Sequence, residues 1–336
     1  MSGDGGIEMT GSGESAEKNG GDKGSRQSKA ERGAVEQRKP VVGLALGSGS
    51  ARGWAHIGII QQLEDMGISP QVVVGTSIGA LVGAVYVSGR LEEFADWVSK
   101  LTFRDVIGFL DVGFNGGVVK GEKLFNFFRE QHQNPDIEEL DKKFATVATD
   151  MKLGREVWIQ EGNVLDAARA SCALPGLFSP FKYNDRWMLD GGLVNPVPVS
   201  VCRALGADIV IAVNLNGQLV GRHFSRSEEE QVRRASEVSE GEEKGLLEKV
   251  VDYFVTDGKN NGDSPGFFDV IGASINIMQD RITRSRMAGE PADVNLMPLL
   301  DDYAIMDFHR ADEAIKEGRR LVKAAEDRIQ WFMERV

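Results

Sequence analysis

The sequence is poor in the residues that build metal centres and disulfide frameworks. It contains only two cysteines and four histidines in 336 residues. Cys172 and Cys202 are too far apart in the chain for a zinc-type motif, and two thiols cannot form a multi-bridge framework. A reducing compartment therefore fits the chain. We expect no metal site made of several histidines.

A positive charge balance is also missing. The formal net charge is -12 and the isoelectric point is near 5.0. Binding to nucleic acid needs a basic face that matches the phosphates, so the composition argues against a nucleic-acid partner. Contact with a membrane surface stays open, because a local apolar or basic patch is enough for it.

The N-terminal region lacks the apolar core of a signal peptide. Residues 1–39 are rich in Gly, Ser, Glu and Lys, and we predict a disordered tail there. Residues 40–336 form the predicted folded domain, since 41% hydrophobic residues are ample for a large core. A stretch at about 217–245, dense in Arg, Glu and Ser, is predicted to be a charged surface insertion. The expected location is cytoplasmic, with peripheral contact at the inner membrane.

An uncharged stretch, Gln71–Gly89, holds the most informative pattern in the chain. A valine run leads into Gly75-Thr76-Ser77-Ile78-Gly79, and a long apolar segment follows. Lack of charge also suits a membrane span, but three glycines, two serines and a threonine lower the hydrophobicity, and the valines favour a buried strand. Strand, sharp turn and helix form a G-x-S-x-G elbow, which exposes the serine hydroxyl at a helix N-terminus. Ser77 is therefore a candidate nucleophile.

A glycine-rich turn, Gly47–Gly53, follows a predicted first strand at Val41–Leu46. A strand, G-x-G and a helix also mark dinucleotide-binding sites. However, the sixth position is Arg52, and the next strand ends in Gly-Thr-Ser instead of the ribose-binding acid. The other use of such a turn is an oxyanion hole made of exposed N–H groups. Arg52 would then either add positive potential or brace the loop.

Apolar periodicity places most of the other elements. Strands are predicted at Phe144–Asp150, Glu156–Ile159, Asp208–Asn214 and Val294–Met297, and helices at Trp54–Met66, Val164–Ser171, Val199–Leu205, Phe267–Thr283 and, as one long closing helix, from Phe308 to Phe332. Phe103–Gly121 is interpreted as a loop. Alternation of strands and helices predicts an α/β fold with a mainly parallel sheet.

Ser77 needs a base, because a serine hydroxyl is a poor nucleophile at neutral pH. The chain order Ser77, Asp190, His309 is that of an α/β-hydrolase triad. His56 is a further candidate, although a packing role is more common for a histidine on that helix. Alternatively, Asp190 accepts the proton directly in a dyad, since burial can raise a carboxyl pKa towards the working pH. The residues alone leave these alternatives open.

Four motifs together resemble the patatin-like phospholipases, in particular the bacterial branch related to neuropathy target esterase. They are LALGSGSARGWAHIG at Leu44–Gly58, GTSIGA at Gly75–Ala80, ASCALPGLF at Ala170–Phe178 and LDGGLVNPVP at Leu189–Pro198. This resemblance implies a patatin-like three-layer α/β/α fold. It also implies a lipid acyl ester as the substrate, contact with membrane surfaces, and neither a metal nor another cofactor.

The same resemblance assigns roles to individual residues. Ser77 matches the family's nucleophile, and Asp190 matches its base, with no histidine in the site. The family's oxyanion turn matches Ser48–Gly53, which implies Gly49 and Ser50 amides as donors beside Arg52. Serines replace two of the usual glycines in this turn, and serine is less favourable than glycine at positive φ.

Overall fold

The computed structural model describes residues 38–109, 125, 129, 134–175, 177–217 and 267–335. The predicted tail at 1–39 and the charged insertion at about 217–245 lie almost entirely outside these ranges. Both stay predictions.

Eight strands form one sheet in the spatial order β5-β6-β3-β2-β1-β7-β8, and β4 also pairs with β3. The strands are β1 (Val42–Leu46), β2 (Val72–Thr76), β3 (Lys143–Asp150), β4 (Arg155–Ile159), β5 (Phe181–Tyr183), β6 (Arg186–Asp190), β7 (Ile209–Val213) and β8 (Val294–Leu296). Strands β3, β2, β1, β7 and β8 run parallel, whereas β4 and β6 are antiparallel to β3 and β5 is antiparallel to β6. The predicted mainly parallel α/β sheet is confirmed.

Helices cover both faces of this sheet, so β1, β2 and β7 are buried throughout and read as continuous apolar runs. The helices are α1 (Ala55–Asp65), α2 (Ile78–Val87), α3 (Leu91–Val98), α4 (Phe103–Phe109), α5 (Val164–Ser171), α6 (Val199–Ala204), α7 (Phe267–Gly289), α8 (Ala311–Ala324) and α9 (Glu326–Met333). One core lies beneath α1, α2, α3, α5 and α8, and the other beneath α6. The three-layer architecture is thereby confirmed.

The uncharged stretch forms β2 and the ten-residue helix α2. Across the described ranges, no helix has both the length and the apolar character needed to cross a bilayer. The strand–turn–helix interpretation of Gln71–Gly89 is therefore confirmed.

Closing helix α8 packs against α1 through glycine on both sides. A Cβ atom at Gly58 would lie 1.9 Å from the carbonyl oxygen of Ile315, and one at Gly318 would lie 2.2 Å from that of Ala55. Only glycine permits such close backbone approach. This contact holds α1, and with it the end of the glycine-rich turn, against the C-terminal part of the chain.

Several predicted boundaries were wrong. Phe103–Phe109 is a helix and not a loop, because Thr102 and Asp105 cap its start by reciprocal hydrogen bonds. The remainder of that predicted loop lies outside the described residues. The long closing helix is two helices separated at Ala325, and α7 continues six residues past Thr283 to Gly289. Strand β5 was not predicted.

Candidate active site

Two strand ends meet beside β3 and place the candidate nucleophile next to the candidate base. Thr76, the last residue of β2, pairs with Val147, and Asp190, the last residue of β6, pairs with Ala148. Strands β2 and β6 run in opposite directions along β3, so their C-terminal ends abut. Residues 113 apart in the chain are brought into contact by this register.

The turn that carries Ser77 is strained and tightly packed. Ser77 has φ 56° and ψ -125°, a conformation that side chains rarely adopt. A Cβ atom at Gly75 would lie 2.4 Å from the Ala80 Cα atom, and one at Gly79 would lie 2.2 Å from the Leu46 carbonyl oxygen. Both glycines are therefore needed for the elbow to close against the sheet, as the G-x-S-x-G pattern indicates.

Ser77 and Asp190 share a direct hydrogen bond. The Ser77 hydroxyl lies 2.6 Å from Asp190 Oδ2, while Asp190 Oδ1 accepts from the Gly192 N–H at 2.7 Å. Asp190 is fully buried. Burial raises the pKa of Asp190 to about 6, against the lowering effect of these two hydrogen bonds. The carboxylate is ionised at neutral pH and still basic enough to accept a proton.

Backbone groups around the pair are held by two hydroxyls to which the sequence interpretation gave no role. Ser171 Oγ accepts from the Ser77 N–H at 2.9 Å and donates to the Val147 carbonyl. Thr149 Oγ1 donates to the Asp190 carbonyl at 2.8 Å. Ser171 lies within the ASCALPGLF motif, and this motif was the sequence signal that could have indicated its role. Thr149 lies inside a strand, where no sequence motif marks it.

The glycine-rich turn has two backbone N–H groups without an acceptor among the described residues. Gly47 and Ser48 donate to the carbonyls of Val213 and Pro196. By contrast, no described residue accepts a hydrogen bond from the N–H of Gly49 or Ser50. Ser50 lines the same cavity as Ser77 and has φ 51°, so the turn does place a serine at positive φ.

Close packing fixes the positions around these amides. A Cβ atom at Gly49 would lie 2.5 Å from the Leu215 Cβ atom, which explains glycine at that position. Ser48, at a position where the resemblance predicts glycine, donates its hydroxyl to Gln279 Oε1 at 2.7 Å. This hydrogen bond therefore connects the glycine-rich turn to helix α7.

Arg52 is buried in this turn, with 2% of its surface exposed. Its Nε donates to the Gly49 carbonyl at 3.1 Å, and its Nη2 donates to Asn276 Oδ1 at 3.1 Å. Burial lowers the pKa of Arg52 to about 9, so the guanidinium stays protonated at neutral pH. These contacts support the bracing role; the electrostatic role stays a prediction. Asn276 and Gln279, three apart on α7, were missed because the periodicity of that segment predicted only a helix.

Neither candidate histidine stands between Ser77 and Asp190. His56 is fully buried, and its Nε2 lies 2.8 Å from the Gly47 carbonyl oxygen. Burial lowers its pKa to about 4, so the ring is neutral and Nε2 carries the proton that this carbonyl accepts. The His309 ring meets the Phe103 ring edge to face, with centroids 5.6 Å apart.

An apolar cavity of about 70 Å³ opens beside Ser77. Its lining comes from the turn, from α2, α3 and α4, and from the segments after α5 and before α8, and includes Trp54, Leu81, Trp97, Leu174, Phe178 and Phe308. Cys172 also lines it, but burial raises the pKa of this thiol, and its Sγ donates to the Ser77 carbonyl at 3.0 Å. The thiol is therefore a packing group and a poor competitor to the Ser77 hydroxyl.

Comparison with known proteins gives the class first. Residues 44–203, which contain Ser77 and Asp190, match the patatin-like phospholipase model. Among solved structures, VipD from Legionella pneumophila aligns with a TM-score of 0.34 at 12% identity, covering 88% of this chain and 78% of its own.

Whole-chain relatives give the branch. An uncharacterised NTE family protein of Mycobacterium tuberculosis is 33% identical over 330 residues, which cover 85% of this chain and 91% of the relative. Lysophospholipase NTE1 of Coccidioides immitis is 26% identical, covering 86% of this chain but 18% of that larger protein. The chain belongs to the patatin-like phospholipase family, in its NTE branch. The resemblance seen in the sequence is confirmed.

Proposed function

We propose that the chain is a serine lipid acyl hydrolase of the phospholipase or lysophospholipase type that uses a Ser77–Asp190 dyad. Membership of the family supports an esterase-type hydrolase acting on lipid. The single observation that carries the dyad is the 2.6 Å hydrogen bond from the Ser77 hydroxyl to a fully buried carboxylate.

In the proposed mechanism, Ser77 Oγ attacks the ester carbonyl carbon while Asp190 Oδ2 takes the hydroxyl proton. Collapse of the tetrahedral intermediate breaks the bond to the alcohol, which leaves with the proton from Asp190. Water then attacks the acyl-enzyme, with Asp190 again acting as the base, and frees the fatty acid and Ser77.

Negative charge on the carbonyl oxygen is stabilised by the Gly49 and Ser50 amides in this proposal. Both N–H groups have no acceptor among the described residues, and Ser50 and Ser77 line one cavity. Donors that are fixed before the reaction need no reorganisation in the transition state. Arg52 positions them through the Gly49 carbonyl and adds a nearby positive charge.

The acyl chain is the part of the substrate that fits the cavity. Its wall is almost entirely aliphatic and aromatic, and it begins at the nucleophile. A hydrocarbon chain gains free energy by leaving water for such a surface, at roughly 25 cal/mol per Å² of apolar area. We propose that the acyl group lies along Trp54, Leu81 and Trp97, with the head group towards solvent.

Hydrolysis of a panel of phospholipids and lysophospholipids, followed as fatty-acid release, tests the proposal. We expect release from at least one lipid class with wild type and none with Ser77→Ala. If well-folded wild type releases no fatty acid from any lipid in the panel or from a short-chain ester, the hydrolase proposal is wrong.

The pH dependence of kcat/KM should show one ionisation of a base near pH 6. Asp190 must be deprotonated to accept the serine proton, and burial raises its pKa to about 6. Activity is therefore expected to rise with pH through 6 and to level off above it. Initial rates with a soluble ester between pH 4.5 and 8.5 measure this limb. A limb near pH 4, the ordinary value for a carboxyl, would contradict the role of burial.

His309→Ala should leave the rate of ester hydrolysis within about threefold of wild type, because nothing in the dyad mechanism uses an imidazole. The ring lies against Phe103, so a modest loss of stability is the expected effect. Parallel measurements of kcat and of the thermal midpoint separate an effect on catalysis from an effect on stability. Loss of activity on the order of 10³-fold in a stably folded variant would favour the triad instead.

A further inference from the structure

Two β-hairpins extend past the C-terminal end of β2, where Ser77 lies. Strand β3 continues from Val147, opposite the end of β2, to Asp150 before it turns through residues 151–154 into β4. The β5–β6 hairpin turns at Asn184 and Asp185 and returns to end at Asp190. Both turns therefore lie at the same end of the parallel strands as the proposed nucleophile. They lie farther out than Ser77 along the direction of β3.

Large apolar side chains are exposed on these hairpins. Met151, Leu153 and Trp187 are 53%, 58% and 54% exposed. Met151 and Trp187 are cross-strand neighbours, since the Met151 N–H donates to the Trp187 carbonyl at 2.9 Å. Clustered exposed apolar groups of this size mark contact surfaces more often than isolated ones do.

Three exposed cationic side chains surround these apolar groups: Lys152, Arg155 and Arg186. Arg186 Nη1 lies 3.7 Å from Asp150 Oδ2, so the net positive charge comes from Lys152 and Arg155. Lys182 and Asp185, also on the β5–β6 hairpin, form an ion pair at 2.9 Å and add no net charge. The patch is locally positive although the chain has a net charge of -12. The hairpins therefore combine apolar and positive groups at one place.

The backbone presents these side chains on firm turns. Asp150 Oδ1 accepts from the N–H groups of Lys152 and Leu153, both at 2.9 Å, and Gly154 has φ 63°. Asn184 and Asp185 have φ 45° and 60°, as a two-residue hairpin turn requires. Little conformational entropy is lost when such a surface binds.

We propose that Met151, Leu153 and Trp187, with Lys152, Arg155 and Arg186, form a hairpin surface that docks onto anionic lipid bilayers. Trp and other apolar side chains enter the interfacial region, while the cations contact acidic head groups. This deepens the proposed function, on which it rests, because it sets the mouth of the site against the lipid. Phe178, which lines the cavity, lies three residues before β5.

A second copy of the chain fits this surface less well. In a two-fold symmetric contact the same patch meets itself, so Lys152 and Arg155 of one copy would face those of the other. An anionic bilayer complements both the charge and the apolar groups.

Sedimentation with vesicles tests the docking independently of catalysis when every protein carries Ser77→Ala. We expect at least tenfold tighter binding to phosphatidylcholine vesicles that contain phosphatidylglycerol than to pure phosphatidylcholine, and weaker binding as salt rises. Lys152→Gln with Arg155→Gln should weaken binding on the order of 30-fold, at about fivefold per cation removed. Met151→Ser with Leu153→Ser and Trp187→Ser should weaken it at least tenfold.

Matched controls are Leu299→Ser and Trp331→Ser, which are 51% and 47% exposed elsewhere on the molecule and should bind like the parent. With Ser77 restored, the hairpin variants should hydrolyse a soluble short-chain ester at the wild-type rate. Esterase activity therefore tests the proposed function, and vesicle binding tests the docking surface separately. Unchanged vesicle binding by both hairpin variants would overturn the docking surface. Equal losses of vesicle binding in the control variants would also overturn it. A dimer of the parent protein that the hairpin variants convert to monomer, with vesicle binding unchanged, would overturn it as well.

Discussion

Asp190→Asn is expected to lower kcat by about 10³–10⁴-fold while the protein stays folded. The amide keeps the shape of the carboxylate: its oxygen can still accept from the Gly192 N–H, and its NH2 group can donate to the Ser77 hydroxyl oxygen. It cannot take the serine proton. Ester hydrolysis under saturating substrate measures kcat, and the far-UV spectrum and thermal midpoint report on the fold.

The same variant is expected to be more stable than wild type at pH 8. The folded-state pKa of Asp190 is raised to about 6, above the roughly 3.9 of an unfolded chain, so the ionised form disfavours the native state. Above pH 6 the cost is about 3 kcal/mol, and it falls below about 1 kcal/mol at pH 4, where the folded state is protonated and the unfolded state is about half protonated. Asparagine removes this cost at high pH.

Denaturant unfolding of wild type and Asp190→Asn at pH 4 and pH 8 separates these effects. The stability gain should be present at pH 8 and small at pH 4. Asp280→Asn is a suitable control, since Asp280 is also buried but pairs with Arg284 outside the dyad; its kcat should change little. A near-wild-type kcat in Asp190→Asn would exclude Asp190 as the general base.

Replacing Ser77 with alanine or glycine should abolish turnover equally, on the order of 10⁶-fold in kcat. Their stabilities should differ. The backbone at Ser77 has φ 56°, which a Cβ atom disfavours and glycine accepts, so Ser77→Gly should be about 1–2 kcal/mol more stable than Ser77→Ala.

Comparing the two variants isolates the backbone strain, because both lose the nucleophile and the hydrogen bond to Asp190. Denaturant midpoints with equal slopes give the difference directly. Equal stabilities, or a less stable glycine variant, would show that the elbow stores no strain at this residue. Residual turnover above background in either variant would point to another nucleophile.

The parallel core of the fold was accessible from the sequence because its signals are local. Val72–Val74 and Ile209–Val213 are apolar runs buried on both faces, and such runs are typical of interior parallel strands. The capped start of α4 at Thr102 and Asp105 was also local, but the surrounding glycines and aromatics masked it. The break between α8 and α9 at Ala325 was not accessible, since the apolar spacing continues through it.

The arrangement of the site depended on non-local register. Ser77 and Asp190 each follow a recognisable motif, but their contact arises from the pairing of Thr76 and Asp190 with consecutive residues of β3. No local pattern reports that register. The same limit applies to α7: polar residues on an amphipathic helix read as a solvent face, yet Asn276 and Gln279 are buried against the glycine-rich turn.

Labelling by a fluorophosphonate, with the modified residue located by mass spectrometry, tests the central claim most directly. We predict that wild type is labelled at Ser77, that Ser77→Ala is not labelled, and that Asp190→Asn is labelled at least 100-fold more slowly. No labelling of folded wild type, modification at a residue other than Ser77, or labelling of Asp190→Asn at the wild-type rate would contradict the Ser77–Asp190 dyad.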